Sequence, residues 1–84
     1  MHDEDRDIVK AVRNGETERY RELVERHKGR VFAVLQRMLA DPQLAEELAQ
    51  EAFVKAYTGL NGFRGEARFG TWLVQIALFT ARDH

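Results

Sequence analysis

Between Tyr20 and Leu39 apolar residues return every third or fourth position: Tyr20, Leu23, Val24, Val31, Val34, Leu35, Met38 and Leu39, with His27 filling one place. That spacing lines up on one side of a helix and on no face of a strand. The pattern is then cut and restarted by Asp41-Pro42, a carboxylate able to cap a helix followed by proline at a first helical position. A chain so punctuated is predicted to be all-α, a compact bundle of three to four helices with no strand.

The other elements follow from the same signals. A first helix is predicted over about 5–14, with Asp3 or Asp5 accepting from its free N–H groups and Gly15 taking the left-handed position after it. Ile8, Val9 and Val12 form its apolar stripe. Thr17 is the expected cap of the second helix, about 17–39, in which Gly29 costs about 1 kcal/mol against alanine and marks a bend or a close helix approach. The third, about 42–58, carries Leu44, Ala45, Leu48, Ala49, Ala52, Phe53, Ala56 and Tyr57, a face with enough small residues for neighbours to come close. A loop over about 59–69 is punctuated by glycines, and the fourth helix, about 70–84, sets Trp72, Leu73, Ile76, Ala77 and Thr80 on one side with Phe79 near them.

Eighty-four residues make one small domain, predicted to bury about 60–65% of the surface its unfolded chain exposes. Cysteine is absent, which excludes disulfides and thiolate metal sites. The opening Met1 to Asp7 is acidic, unlike a signal peptide, and no apolar run is long enough for a membrane span, so a cytoplasmic location is expected. Serine is also missing, and the histidines at 2, 27 and 84 are scattered. No catalytic constellation, cofactor motif or metal set emerges, and His27 reads as a core-edge histidine; the chain is not expected to be an enzyme.

A net charge of −1 is unlike that of a simple nucleic-acid coat, but the charges are sorted along the chain. Residues 19–37 hold six bases against two acids, residues 41–51 four acids and no base, and residues 52–84 four bases against two acids. Glu47, Gln50 and Glu51, at i, i+3 and i+4, share one exposed helix face. Early acids complement a helix dipole, which accounts for Glu46 and Glu47 better than for Glu51; a docking face for a basic helical partner is the other reading. In the loop, Arg64 and Arg68 stand among glycines, with Phe63 and Phe69 at its ends. Cations and aromatics so placed suit single-stranded nucleic acid, while the plainer account makes the phenylalanines core anchors and the arginines solubilising. Trp72 is open to the same pair of readings, packing or stacking.

The segment Leu44-Ala45-Glu46-Glu47-Leu48-Ala49-Gln50-Glu51-Ala52-Phe53-Val54-Lys55-Ala56-Tyr57, followed by Phe63-Arg64-Gly65-Glu66-Ala67-Arg68-Phe69-Gly70-Thr71-Trp72-Leu73, resembles region 2 of the bacterial sigma-70 superfamily, in its extracytoplasmic-function group. Asp7-Ile8-Val9 through Gly15-Glu16, then Tyr20, Leu23-Val24 and Val31-Phe32, fit the same pattern. The resemblance implies a transcription initiation factor domain that binds core RNA polymerase and melts the promoter minus-ten element. By it, Glu47, Gln50 and Glu51 would meet the clamp helices of the polymerase largest subunit. Asn61 to Arg68, with Phe63 and Arg64 among them, would pocket a base flipped from the minus-ten single strand. Trp72 and Gln75 would flank the melting point, and an anti-sigma factor would be a further partner.

Two departures qualify it. Where family members often carry a basic or polar pair in the last helix, Leu78 and Phe79 stand here, which puts DNA contacts from them in doubt and implies an exposed apolar patch. The sequence also stops at His84, where members usually continue into a helix-turn-helix domain reading the minus-thirty-five element, as expected of an excised domain or a reduced protein.

Overall fold

The computed structural model describes residues 3–84; Met1 and His2 lie outside the described residues. Helices α1 (Arg6–Arg13), α2 (Tyr20–Leu39), α3 (Pro42–Thr58) and α4 (Phe69–Arg82) make up the fold, with 3-10 turns at Thr17–Arg19 and Leu60–Gly62. Helices α2, α3 and α4 pack on one another in pairs, and α1 lies against α2 and the Leu60–Gly62 turn. No strand occurs among the described residues.

The core is a layer of branched and aromatic side chains closed by alanines. Leu23, Val31, Leu35, Phe69 and Leu73 are fully enclosed, and Ala45, Ala52, Ala56 and Ala77 are equally shut off from solvent. Alanines let α3 approach both neighbours closely, and Gly70 does the same at the head of α4. A Cβ at Gly70 would lie 2.9 Å from His27 Cε1 and 3.1 Å from Arg30 Nη1, so only glycine lets α4 start this close to α2. The Tyr20 hydroxyl crosses the same layer and donates to the Phe53 carbonyl at 2.6 Å. Burial pushes that phenol well above its ordinary range.

Local chemistry accounts for most of the boundaries. Asp41 Oδ1 accepts from the Leu44 N–H at 3.2 Å, with Pro42 beginning α3 as the sequence suggested. Ala40 ends α2 in the left-handed region, at φ 53°, a conformation that costs an alanine about 1 kcal/mol. Gly15 takes φ 107° after α1, as expected of a glycine there.

Several expectations need correction. Thr17 caps nothing: residues 17–19 tighten into a 3-10 turn, and α2 begins at Tyr20 without a side-chain cap. Asp5 stands at the head of α1 but makes no capping bond there. It is buried, and its carboxylate takes Arg26 Nη1 at 2.8 Å and His27 Nε2 at 2.7 Å, joining α1 to α2. A buried carboxylate is tolerable when its oxygens are paired in this way. Gly29 marks no close approach, since a Cβ there would meet nothing within 4 Å. Met38, placed on the α2 stripe, is 51% exposed. Tyr57, also half-exposed, leans edge-on against Tyr20 at 5.0 Å.

Candidate functional site

The connection from α3 to α4 is built inside out. Leu60, Phe63 and Phe69 are buried, while Asn61, Arg64 and everything from Gly65 to Arg68 face solvent. Gly65, at φ 76°, supplies the left-handed turn that throws this stretch outward. Phe63 meets Phe69 edge-on at 5.9 Å and Trp72 at 4.9 Å. The anchoring account therefore holds for both phenylalanines. Phe63 holds the loop in place and keeps only 7% of its surface open, at the cleft it lines with Arg13 and Arg64.

Arg64 and Arg68 form no ion pair or side-chain hydrogen bond among the described residues, so their guanidinium groups are free for an anion. Trp72 is half-buried: its ring rests on Phe63 and on Phe69, 5.8 Å away, and the remainder is open. Gln75 is exposed one turn further along α4. Phe79, two turns from Trp72 on the same side, carries the Arg82 guanidinium over its ring at 4.5 Å. With Leu78 at 38% exposure it forms the apolar patch expected at these two positions.

Arg13 was not legible as a site residue. From the end of α1 it donates Nε and Nη2 to the Leu60 carbonyl at 3.0 and 2.8 Å, and Nη2 also to the Phe63 carbonyl. A cleft of about 580 Å³ lies between α1 and the loop, lined by Asp3, Arg6, Lys10, Arg13, Phe63 and Arg64. No local pattern announces an arginine whose acceptors lie 47 and 50 residues away.

The second surface is on α3. Glu47, Gln50 and Glu51 are all exposed on the side opposed to Ala45, Leu48, Ala52 and Phe53. Glu51 reaches Lys55 at only 3.7 Å, in solvent, which leaves its charge largely available. Lys55 turns its other side to Thr80 Oγ1 at 3.3 Å and links α3 to α4. Beside Gln50 runs an apolar groove of about 360 Å³ between α2 and α3, lined by Val24, Gly29, Phe32, Ala49 and Phe53.

A family model described as sigma-70 region 2 matches residues 23–84. The RNA polymerase sigma-H factor of Pseudomonas aeruginosa is 38% identical over 82 residues, covering 98% of this chain and 42% of that protein. The ECF RNA polymerase sigma factor SigW of Bacillus subtilis is 35% identical over 69 residues, 82% of this chain and 37% of its own length. The ECF RNA polymerase sigma-E factor of Escherichia coli K12 is 35% identical over 80 residues, 95% and 41% respectively. The chain thus spans about two fifths of the length of the curated relatives it matches.

Proposed function

The chain belongs to the sigma-70 region 2 family, in its extracytoplasmic-function group, and on that premise we propose that it is the polymerase-binding and promoter-melting domain of a bacterial transcription initiation factor. The observation that carries this reading is the loop: two unpaired arginines and Asn61 turned outward, on a backbone pinned by buried phenylalanines, beside a half-open tryptophan. Residues 1–84 are taken as one such domain, with about 59–69 as its minus-ten loop.

The mechanism is binding, not catalysis. Arg64 and Arg68 draw in the phosphates of a single strand, and a base leaves the stack at a cost of a few kcal/mol. Asn61 and the neighbouring backbone shape the pocket that receives it, with Trp72 and Gln75 flanking the opened step. Because the contacts to the extruded base exist only with the unpaired strand, binding shifts the duplex towards the open state. Leu78 and Phe79 supply no polar contact to this surface. Glu47, Gln50 and Glu51 hold the clamp helices of the polymerase largest subunit, whose partner face must be basic. No described helix is long and apolar enough to cross a membrane. The domain would work in the cytoplasm with the polymerase and be restrained by an anti-sigma factor.

Fluorescence anisotropy with labelled single-stranded and duplex minus-ten oligonucleotides tests the reading, together with capture of a clamp-helix fragment. Preference for the single strand, with selectivity at one position, is expected. Capture of the fragment without any such preference would reassign the chain to a protein-only adaptor.

A further inference from the structure

The loop is held from outside the segment that the family model matches. Residues 23–84 match, whereas α1 lies upstream at Arg6–Arg13. At one end of the loop Arg13 spreads its fork over the Leu60 and Phe63 carbonyls. Its guanidinium also sits 5.8 Å over the Phe63 ring, so the group is held by two carbonyls and an aromatic face. At the other end Asp3 Oδ2 accepts the Phe69 N–H at 2.8 Å, while its Oδ1 accepts the Asp5 N–H at 3.1 Å. The N-terminal segment, α1 and the turn before it, thus grips both ends of the outward stretch.

That stretch does little to order itself. Its own backbone bonds are Gly62 N–H to the Gly59 carbonyl and Phe63 N–H to the Leu60 carbonyl, both before Arg64. Glycines at 59, 62 and 65 widen the conformational range the loop would otherwise sample. Selective recognition needs recognising groups held to a fraction of an ångström by supports that do not touch the ligand. A planar guanidinium suits two neighbouring carbonyls as an ammonium does not.

We propose that Arg13 is a positioning residue for the loop, with Asp3 as its counterpart at the far end, and that the N-terminal segment carrying them thereby sets base selectivity without contacting DNA. This rests on the minus-ten reading of the loop. Arg13 differs in kind from Arg64 and Arg68: its Nε and Nη2 donate to loop carbonyls, so its loss should change which base is preferred and not how many phosphates are neutralised.

The test uses the 84-residue chain with Arg13→Gln, Arg13→Lys and Asp3→Ala. Amide hydrogen exchange reads the loop without DNA. In Arg13→Gln the Gly62 and Phe63 amides should exchange about tenfold faster, the weight of one charge-assisted bond, with the Ala52 and Ala56 amides of α3 unchanged. Asp3→Ala should do the same at Phe69. A panel of fluorescein-labelled single-stranded deoxyoligonucleotides, covering all four bases at each position, then reads selectivity. Arg13→Gln should bring the four affinities together at an unchanged salt slope, and Arg13→Lys should restore part of the preference. Unaltered loop exchange would overturn the proposal. So would a uniform loss of affinity with preference intact, or a salt slope flattened by about 0.7, the mark of a lost phosphate contact. If Arg13→Gln also speeds the α3 amides, the comparison with Arg13→Lys decides. A parent chain that binds no strand would overturn the minus-ten reading instead, and the exchange data would judge the positioning of the loop independently.

Discussion

The ring of Trp72 lies 4.9 Å from that of Phe63, tilted by 42°, so the head of α4 and the loop share one aromatic cluster. The tryptophan therefore serves two ends, packing with one part of its ring and meeting solvent with the rest. Trp72→Ala should cost about 3 kcal/mol in urea unfolding, the low end for removing a large aromatic. Trp72→Phe, which keeps the cluster, should cost less than about 1.5 kcal/mol and isolate the effect on single-strand affinity. A cost well below 1 kcal/mol for the alanine variant would mean that the ring contributes little packing.

On α3, Glu51→Lys combined with Gln50→Ala should weaken capture of the clamp-helix fragment about tenfold or more, as charge reversal opposite a basic partner implies. The melting temperature should barely move, because both side chains are exposed and the Glu51–Lys55 pair is a solvated one worth about 0–1 kcal/mol. Equal capture by variant and parent would remove the assignment.

Salt dependence separates the loop arginines from the pocket. Neutralising about three to five phosphates of a single strand gives a slope of roughly −2 to −3.5, near −0.7 per phosphate. Replacing Arg64 and Arg68 together with alanine should flatten that slope by about one unit or more and weaken every sequence alike. Asn61→Ala should leave the slope alone and change the preferred base at one position. Anisotropy titrations at several salt concentrations read both.

Alkaline pH tests Tyr20. Burial raises its pKa, so the fold favours the neutral phenol. The associated stability is complete below the ordinary phenol value of about 10 and is lost as pH climbs above it, where only the unfolded chain ionises readily. Tyr20→Phe removes the bond to the Phe53 carbonyl and should cost about 1 kcal/mol near neutrality. The gap between parent and variant should then narrow above about pH 10. Parallel stability curves would exclude a buried, hydrogen-bonded phenol.

The sequence exposed those parts of the molecule that neighbours in the chain decide. Helix stripes, the Asp41-Pro42 junction and the left-handed Gly15 each follow from a few consecutive residues, and each stands where expected. The outward loop and the exposed acidic face were also readable, since glycine spacing and an i, i+3, i+4 cluster are local signals. Tertiary chemistry was not. Asp5 gave up a capping bond for a buried pairing with residues 21 and 22 positions away. Arg13 and Asp3 act over longer separations still, through carbonyls and an N–H that every residue possesses and no composition reveals.

The alanine seam of α3 divides the helix into two regimes of mutational freedom. Ala45, Ala52 and Ala56 are wholly shut off from solvent, and α3 packs on both α2 and α4, so larger side chains there would have to be accommodated inside the core. Glu46, Glu47, Gln50, Glu51 and Val54, interleaved with them on the same backbone, are all exposed. Drift along this helix can therefore rewrite the exposed side while the packing that seats the loop and α4 stays in register.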